Sequence, residues 1–143
     1  MDTKFAVAIH SLIFISESEE AMTSDTLAET LHTNSSYVRR ILASLVKAGM
    51  ISSASKTKGC ALLKAPEDIR LTEIYDAVKP GVSKLNMNLS QNPDTGIHLG
   101  KCEQPVIEGL FSEMENAVEK VLAEKTLRDL IKSVRQHMKE MNQ

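Results

Sequence analysis

Ser35, Ser36, Tyr37, Arg39 and Arg40 crowd into one short stretch of the chain. Hydroxyls donate to phosphate oxygens and to base edges, and a guanidinium forks onto guanine or onto a phosphate. Val38, Ile41, Leu42 and Leu45 interleave with these groups at helical spacing. The pattern predicts a helix with an apolar side turned inward and Ser36, Tyr37, Arg39 and Arg40 on the wet side. Further on, Lys56, Thr57 and Lys58 fall at the tip of a predicted hairpin, where they could meet an adjacent minor groove or its phosphates. From Asn34 to Pro66 there are six Lys or Arg and no Asp or Glu, in a protein whose net charge is −2. The basic stretch is therefore a local concentration, and contact with nucleic acid must come from a patch. A solvated basic face would account for Arg39 and Arg40 alone. Helix, turn, helix, hairpin and charge in this order point to double-stranded DNA as the partner.

The elements that must hold these groups read as follows. A first helix spans about Lys4 to Ser16, with Asp2 or Thr3 as cap and Phe5, Ile9, Leu12 and Ile13 on its inner face. Thr23 or Ser24 starts a second helix with Leu27, Ala28 and Leu31 inward and Asp25 and Glu29 near its positive end. His32-Thr33-Asn34 is a tight turn. Asn34 or Ser35 caps the third helix, which runs through Lys47 and adds Val46 to its stripe, and Gly49 stops it. Met50 to Ala54 and Cys60 to Lys64 read as short strands around a tip at Ser55 to Gly59. A fourth helix covers Thr72 to Val78 and breaks at Lys79-Pro80-Gly81. Ser83 to Lys101 lacks helical period and reads as a loop. From Pro105 a stripe of Ile107, Leu110, Phe111, Met114, Val118, Val121 and Leu122 returns. Thr126 to Asp129 resembles a capping box and opens a last helix with Leu127, Leu130, Ile131, Val134 and Met138 inward.

The composition narrows the field. A chain of 143 residues suits one small domain with an oligomerisation arm, and 42% hydrophobic content supports a core. Aromatic content of 3% without Trp favours helices over an all-β architecture. Two cysteines, Cys60 and Cys102, cannot build a disulfide framework, which suits a reducing cytoplasm. No apolar run is long enough for a membrane span. There is no Gly-rich phosphate loop, nucleophile motif or paired set of metal ligands, so an enzyme is not expected.

Val38-Arg39-Arg40-Ile41-Leu42, Leu45 and Lys47-Ala48-Gly49-Met50-Ile51 resemble the recognition helix and first wing strand of the Rrf-two family of bacterial regulators. Lys58-Gly59-Cys60-Ala61-Leu62-Leu63 is similar to its wing, and Pro66 through Val78, with Ile69-Arg70-Leu71 and Ile74-Tyr75-Asp76-Ala77-Val78, to the segment that follows. The resemblance implies a mainly α fold with a small β-hairpin wing: a winged helix-turn-helix at residues 1–80, a loop at the family's sensor position at 81–104, and a dimerisation helix with a C-terminal helix at 105–143. It also implies a homodimer whose stripe from Ile107 to Leu122 faces the partner, and a palindromic operator read by helices about 34 Å apart. An ordinary core helix is the alternative for that stripe. Ser55-Lys56 and Gly59-Cys60 replace the family's Arg-Gly and Gly-Gly pairs, so a minor-groove arginine is missing. Cluster-binding members carry three cysteines before the long helix, whereas this segment offers Cys102 alone. One thiolate falls short of the four ligands of a [2Fe–2S] cluster, so no cofactor is expected.

The Gly100 to Val106 run is similar to the cluster-free branch of the family. Cys102, just ahead of the helix expected from Pro105 and beside Lys101, could act as a redox sensor, since a positive helix end favours a thiolate and Glu103 opposes it. A small packed residue is the plainer role. His98, four residues earlier, gains no fixed geometry from that spacing in a loop. The expected protein is a dimeric transcriptional repressor answering an unknown small-molecule or redox effector, and the competing reading is a helical protein-interaction adaptor without DNA binding.

Overall fold

A computed structural model of the chain describes residues 3–53, 58–79 and 98–143. Its described residues are mainly helical: α1 Thr3–Glu17, α2 Ser24–Thr30, α3 Ser35–Lys47, a 3₁₀ turn Pro66–Asp68, α4 Leu71–Val78, α5 His98–Glu124 and α6 Leu127–Met141. Asp2, a candidate cap of α1, lies outside the described residues, and Thr3 is already helical.

Local chemistry explains the α2–α3 pair. Thr23 Oγ1 accepts from the Thr26 amide at 3.2 Å while Thr26 Oγ1 accepts from the Thr23 amide at 2.8 Å, a reciprocal cap that satisfies two free amides at once. Asn34 Oδ1 accepts from the Tyr37 amide at 2.8 Å and starts α3. Both helices stop by the same pattern. Gly49 has φ +78°; its amide meets Val46 O at 2.9 Å, and the Met50 amide meets Leu45 O at 3.1 Å. His32 has φ +54°, with its amide on Glu29 O at 3.3 Å and the Thr33 amide on Ala28 O at 2.9 Å. These are Schellman terminations, one with the glycine that the left-handed position favours and one without it.

The core is a seam of α1, α3 and α4 closed by α2, α6 and the segment at Ile69. Leu12, Leu27, Val38, Leu45, Ile69, Ile74, Tyr75 and Leu127 are fully buried within it. Phe5 meets Tyr75 edge-on at 5.2 Å between ring centroids. The buried residues of α1 are Phe5, Val7, Ala8, Ser11 and Leu12. Ile9 and Ile13, expected at the centre of the inner face, lie half-buried at its side. α1 touches α3, α4 and α6, and such close neighbours need small residues such as Ala8 and Ser11 where a hydrophobicity pattern looks for large ones.

Three further expectations are corrected. The two strands expected after α3 are, among the described residues, a single antiparallel bridge, Ile51 to Leu62. The Ser52 amide meets Ala61 O at 2.8 Å and the Leu63 amide meets Met50 O at 2.9 Å, but the Ala61 amide goes to Ser52 Oγ and the Cys60 amide to Met22 O at 3.0 Å. Among the described residues the returning arm thus divides its donors between two partners. Second, the long C-terminal helix begins at His98, so 98–104 is helical and Pro105 lies two turns inside α5. A proline there removes one amide donor, and α5 continues through it; the rest of the expected loop, 81–97, lies outside the described residues. Third, Met138 is 56% exposed, because α6 runs past the body after Leu127 and Ile131 are buried.

The α5–α6 corner docks on the chain just before α4. Arg70 bridges to Thr126, the Leu71 amide meets Lys125 O at 3.0 Å and the Leu127 amide meets Ile69 O at 2.8 Å. Arg70 also donates to Ala123 O at 2.7 Å, placing a cation on the carbonyl end of α5. The expected capping box is present: the Thr126 amide meets Asp129 Oδ2 at 2.8 Å and the Asp129 amide meets Thr126 Oγ1 at 3.3 Å. The Thr126 amide is the main cause that holds the Asp129 carboxyl below its ordinary range.

Candidate nucleic-acid interface

Burial of Val38, Ile41, Leu42 and Leu45 orients α3. Ser36, Arg39 and Arg40 are exposed, and Ser35 and Tyr37 are half-buried. Tyr37 packs against the rim of the core, so its ring lies on the flank of α3 rather than wholly on the wet side. The Arg40 guanidinium sits 5.9 Å from that ring's centroid, within reach of a cation–π attraction.

Adjacent arginines on a helix diverge, and here they enter different clefts. Arg39 lines an open cleft of about 280 Å³ with Ser24, Leu42, Ala43, Val46 and Ser53. Arg40 lines a narrower cleft of about 110 Å³ with Lys4, Tyr37, Ile41, Ser44 and Val78. α3 is thus flanked by two clefts, each lined in part by an arginine. Lys4, Ser24, Ser44 and Ser53 are absent from the set expected from sequence. Lys4 arrives from α1, and nothing in the local pattern of α3 could have signalled it.

Of the expected hairpin-tip residues, Lys56 and Thr57 lie outside the described residues, and Lys58 is exposed. The residue after Lys58 fixes the arm. Gly59 has φ +65°, and a Cβ there would stand 2.6 Å from Met22 O. Only glycine accepts both that angle and that approach. The Cys60 amide bonds to the same carbonyl, so the arm is pinned beside the start of α2. Cys60 itself is buried. Burial pushes its thiol up, away from the reactive thiolate form.

Farther away, α5 changes the setting of Cys102. It is exposed and lies inside the helix, one turn after His98, with Sγ 3.6 Å from His98 Nε2. The helix supplies the geometry that a loop would not. No group of three or more His, Cys, Asp or Glu among the described residues could hold a metal ion. On the expected partner-facing stripe, Leu122 is buried and Phe111, Met114 and Val118 are half-buried. Ile107, Leu110 and Val121 are 36%, 50% and 48% exposed. Leu99 and Val106, not expected from sequence, extend the exposed apolar surface. No described helix is long and apolar enough to cross a membrane.

Comparison with known proteins agrees with this geometry. The Rrf2 family, described as "Iron-dependent Transcriptional regulator", matches residues 1–133. YwnA of Bacillus subtilis (strain 168), whose name assigns it provisionally to the HTH-type transcriptional regulators, is 34% identical over 131 residues, covering 92% of this chain and 96% of YwnA. A crystal structure provisionally described as that of a DNA-binding protein is similar with a TM-score of 0.67 and 34% identity, over 90% of this chain and 99% of that one. CymR of B. subtilis, named the global cysteine regulator, shares the fold with a TM-score of 0.67 at 19% identity, over 93% of this chain and 96% of CymR. The chain belongs to the Rrf2 (Rrf-two) family of transcriptional regulators.

Proposed function

We propose that the protein is a cytoplasmic, non-enzymatic, dimeric winged helix-turn-helix regulator that binds a palindromic DNA site and represses by occluding a promoter. The observation that carries this reading is the division of α3: its apolar face is buried against α1, α2 and α4, and its exposed face bears Ser36, Arg39 and Arg40 between two clefts. In this role α3 enters the major groove and α2 braces the backbone. The arm at Lys58 serves as a wing, pinned to α2 through Gly59 and Cys60. The apolar stripe from Ile107 to Leu122 is the dimer face, as its exposure in one protomer suggests.

The family description names iron, and the residues present do not fit a family-type cluster. Cys102 and His98 offer two donors, and Cys60 is buried on the arm beside α2. That falls short of the four ligands a [2Fe–2S] centre needs. We therefore propose a cluster-free regulator whose signal is a small molecule or a redox change, with exposed Cys102 as the candidate sensor. If mild diamide leaves Cys102 reduced by mass spectrometry, and Cys102→Ser leaves DNA release unchanged, the sensor role fails.

The test of the main reading is selection of bound genomic fragments, followed by a salt titration of the recovered site. Nanomolar to submicromolar affinity that weakens steeply with salt and falls on Arg39→Ala is expected. No duplex binding, with salt-independent capture of a protein partner through α5, would support an adaptor instead.

A further inference from the structure

The two arginines of α3 are equivalent in sequence and unlike in space. An α-helix with its side chains is about 10–12 Å across, and the major groove is about 12 Å wide. Groups on the outermost line of a recognition helix therefore meet base edges, and groups on its flanks meet the two phosphate backbones. Arg40 belongs to a flank. Its guanidinium lies by the Tyr37 ring, itself packed on the core rim, and the cleft it enters is closed on the far side by Lys4 of α1 and Val78 of α4. Arg39 enters the cleft on the α2 side.

The chemistry of the Arg40 cleft is specific. Two cationic residues, Arg40 and Lys4, line it together with Tyr37, Ser44 and the aliphatic residues Ile41 and Val78. The Ser44 hydroxyl donates to the Arg40 carbonyl at 3.2 Å, so its remaining capacity is as an acceptor and the cations supply the recognition. A cavity of about 110 Å³ has room for one tetrahedral oxyanion. Arg matches an oxyanion with two parallel donors and Lys matches it as a point charge. Apolar walls strengthen both attractions by lowering the local dielectric.

We infer that the cleft between Lys4, Tyr37 and Arg40 seats one backbone phosphate of the bound DNA, with Arg40 and Lys4 clamping the same phosphate from α3 and α1. This deepens the DNA-binding reading and rests on it. Arg40 then sets register and orientation and does not read a base. Lys4 makes α1, otherwise a packing helix, part of the interface. A free phosphate would present the same chemistry, and the experiment separates the two sources.

The full-length protein is titrated with a duplex carrying its selected site and with a scrambled duplex, over a range of salt concentrations. Lys4→Ala and Arg40→Ala should each weaken both duplexes by a similar factor, about 5- to 30-fold, and lower the salt slope by about one. The double variant should lose less than the product of the singles, because both cations act on one phosphate. Lys4→Arg should restore most of the loss. A scan of single methylphosphonate linkages should then find one neutralised position per half-site that weakens the wild type most, Lys4→Ala and Arg40→Ala less, and the double variant not at all. Wild-type affinity and salt slope in Lys4→Ala would overturn the proposal while leaving DNA binding intact. So would an Arg40→Ala variant that relaxes preference at one base pair without changing the salt slope. If every linkage affects wild type and Lys4→Ala alike, and millimolar inorganic phosphate alters wild-type affinity but not that of Lys4→Ala, the cleft takes a free anion and the DNA assignment falls. A wild type that binds no duplex at all removes both readings. Retained helical circular dichroism and thermal melting, expected because Lys4 and Arg40 are exposed, exclude unfolding as the cause of a loss.

Discussion

α3 and α5 are both amphipathic, and their apolar faces meet different fates. The face of α3 is covered by its own chain, with Val38 and Leu45 fully buried. The face of α5 is covered at Leu122, half-buried at Phe111, Met114 and Val118, and exposed at Ile107, Leu110 and Val121. A helix closed within one protomer can hold a rigid set of donors on its other side. A helix left partly open keeps apolar area, worth about 25 cal/mol per Å² on burial, that its own chain does not cover. The two helices thus differ in whether the chain itself completes their packing.

The largest expected effect is on the closed face. Leu45→Ala should cost about 2–5 kcal/mol of stability, because it opens a cavity that α1 and α4 cannot fill; denaturant unfolding reads this, and a loss below about 1 kcal/mol would show that α3 is not the centre of the core. On the open face, Leu110→Glu combined with Val121→Glu should produce folded monomers in sedimentation equilibrium and weaken operator binding by about 100-fold or more, since two half-sites are then bound independently. Unchanged sedimentation would remove α5 as the dimer face.

Two smaller effects sharpen the comparison at the ends of the reading pair. His32→Gly should stabilise the protein by about 0.5–1 kcal/mol, because an exposed residue at φ +54° is replaced by one that accepts that angle without strain. A drop in melting temperature would contradict the strain assignment. The smallest effect is on the contact between α6 and α1. Arg135 forks onto Glu17, with Nη2 3.0 Å from Oε2. Chiefly through that hydrogen bond, the arginine holds the Glu17 carboxyl below its ordinary range. A lowered carboxyl stabilises the fold above the usual glutamate range and loses that contribution as pH falls through the lowered value. Melting temperature should therefore decline in acid with a small component that Glu17→Gln and added salt both remove, small because the pair is solvent-screened. An acid slope unchanged by Glu17→Gln would show that the pair contributes nothing.

Much of α2 and α3 was legible in the sequence, because caps, stops and stripes act within a few residues. Asn34, Gly49 and the Val38–Leu45 stripe all stand where local rules put them. The Thr126–Asp129 box was legible for the same reason. In α1, Phe5 and Leu12 are buried as the pattern predicts, while Ile9 and Ile13 sit to the side of Ala8 and Ser11, since a helix touched by three others buries small residues that carry little hydrophobic signal. The start of α5 was misplaced because Pro105 mimics a first-turn proline. Among the described residues the expected strands are reduced to the Ile51–Leu62 bridge, and Met22, far off in sequence, takes the Cys60 amide.

By itself the sequence determined the helix-turn-helix order, the inward and outward faces of α3 and the shortage of cluster ligands, all consequences of residue type and short-range spacing. Tertiary structure alone decided that Arg39 and Arg40 line separate clefts, that Lys4 joins one of them, that Cys102 meets His98, and that the stripe of α5 is only partly covered by its own chain. Those outcomes depend on which distant backbone approaches which, and packing, unlike spacing, is settled only when the whole chain has closed.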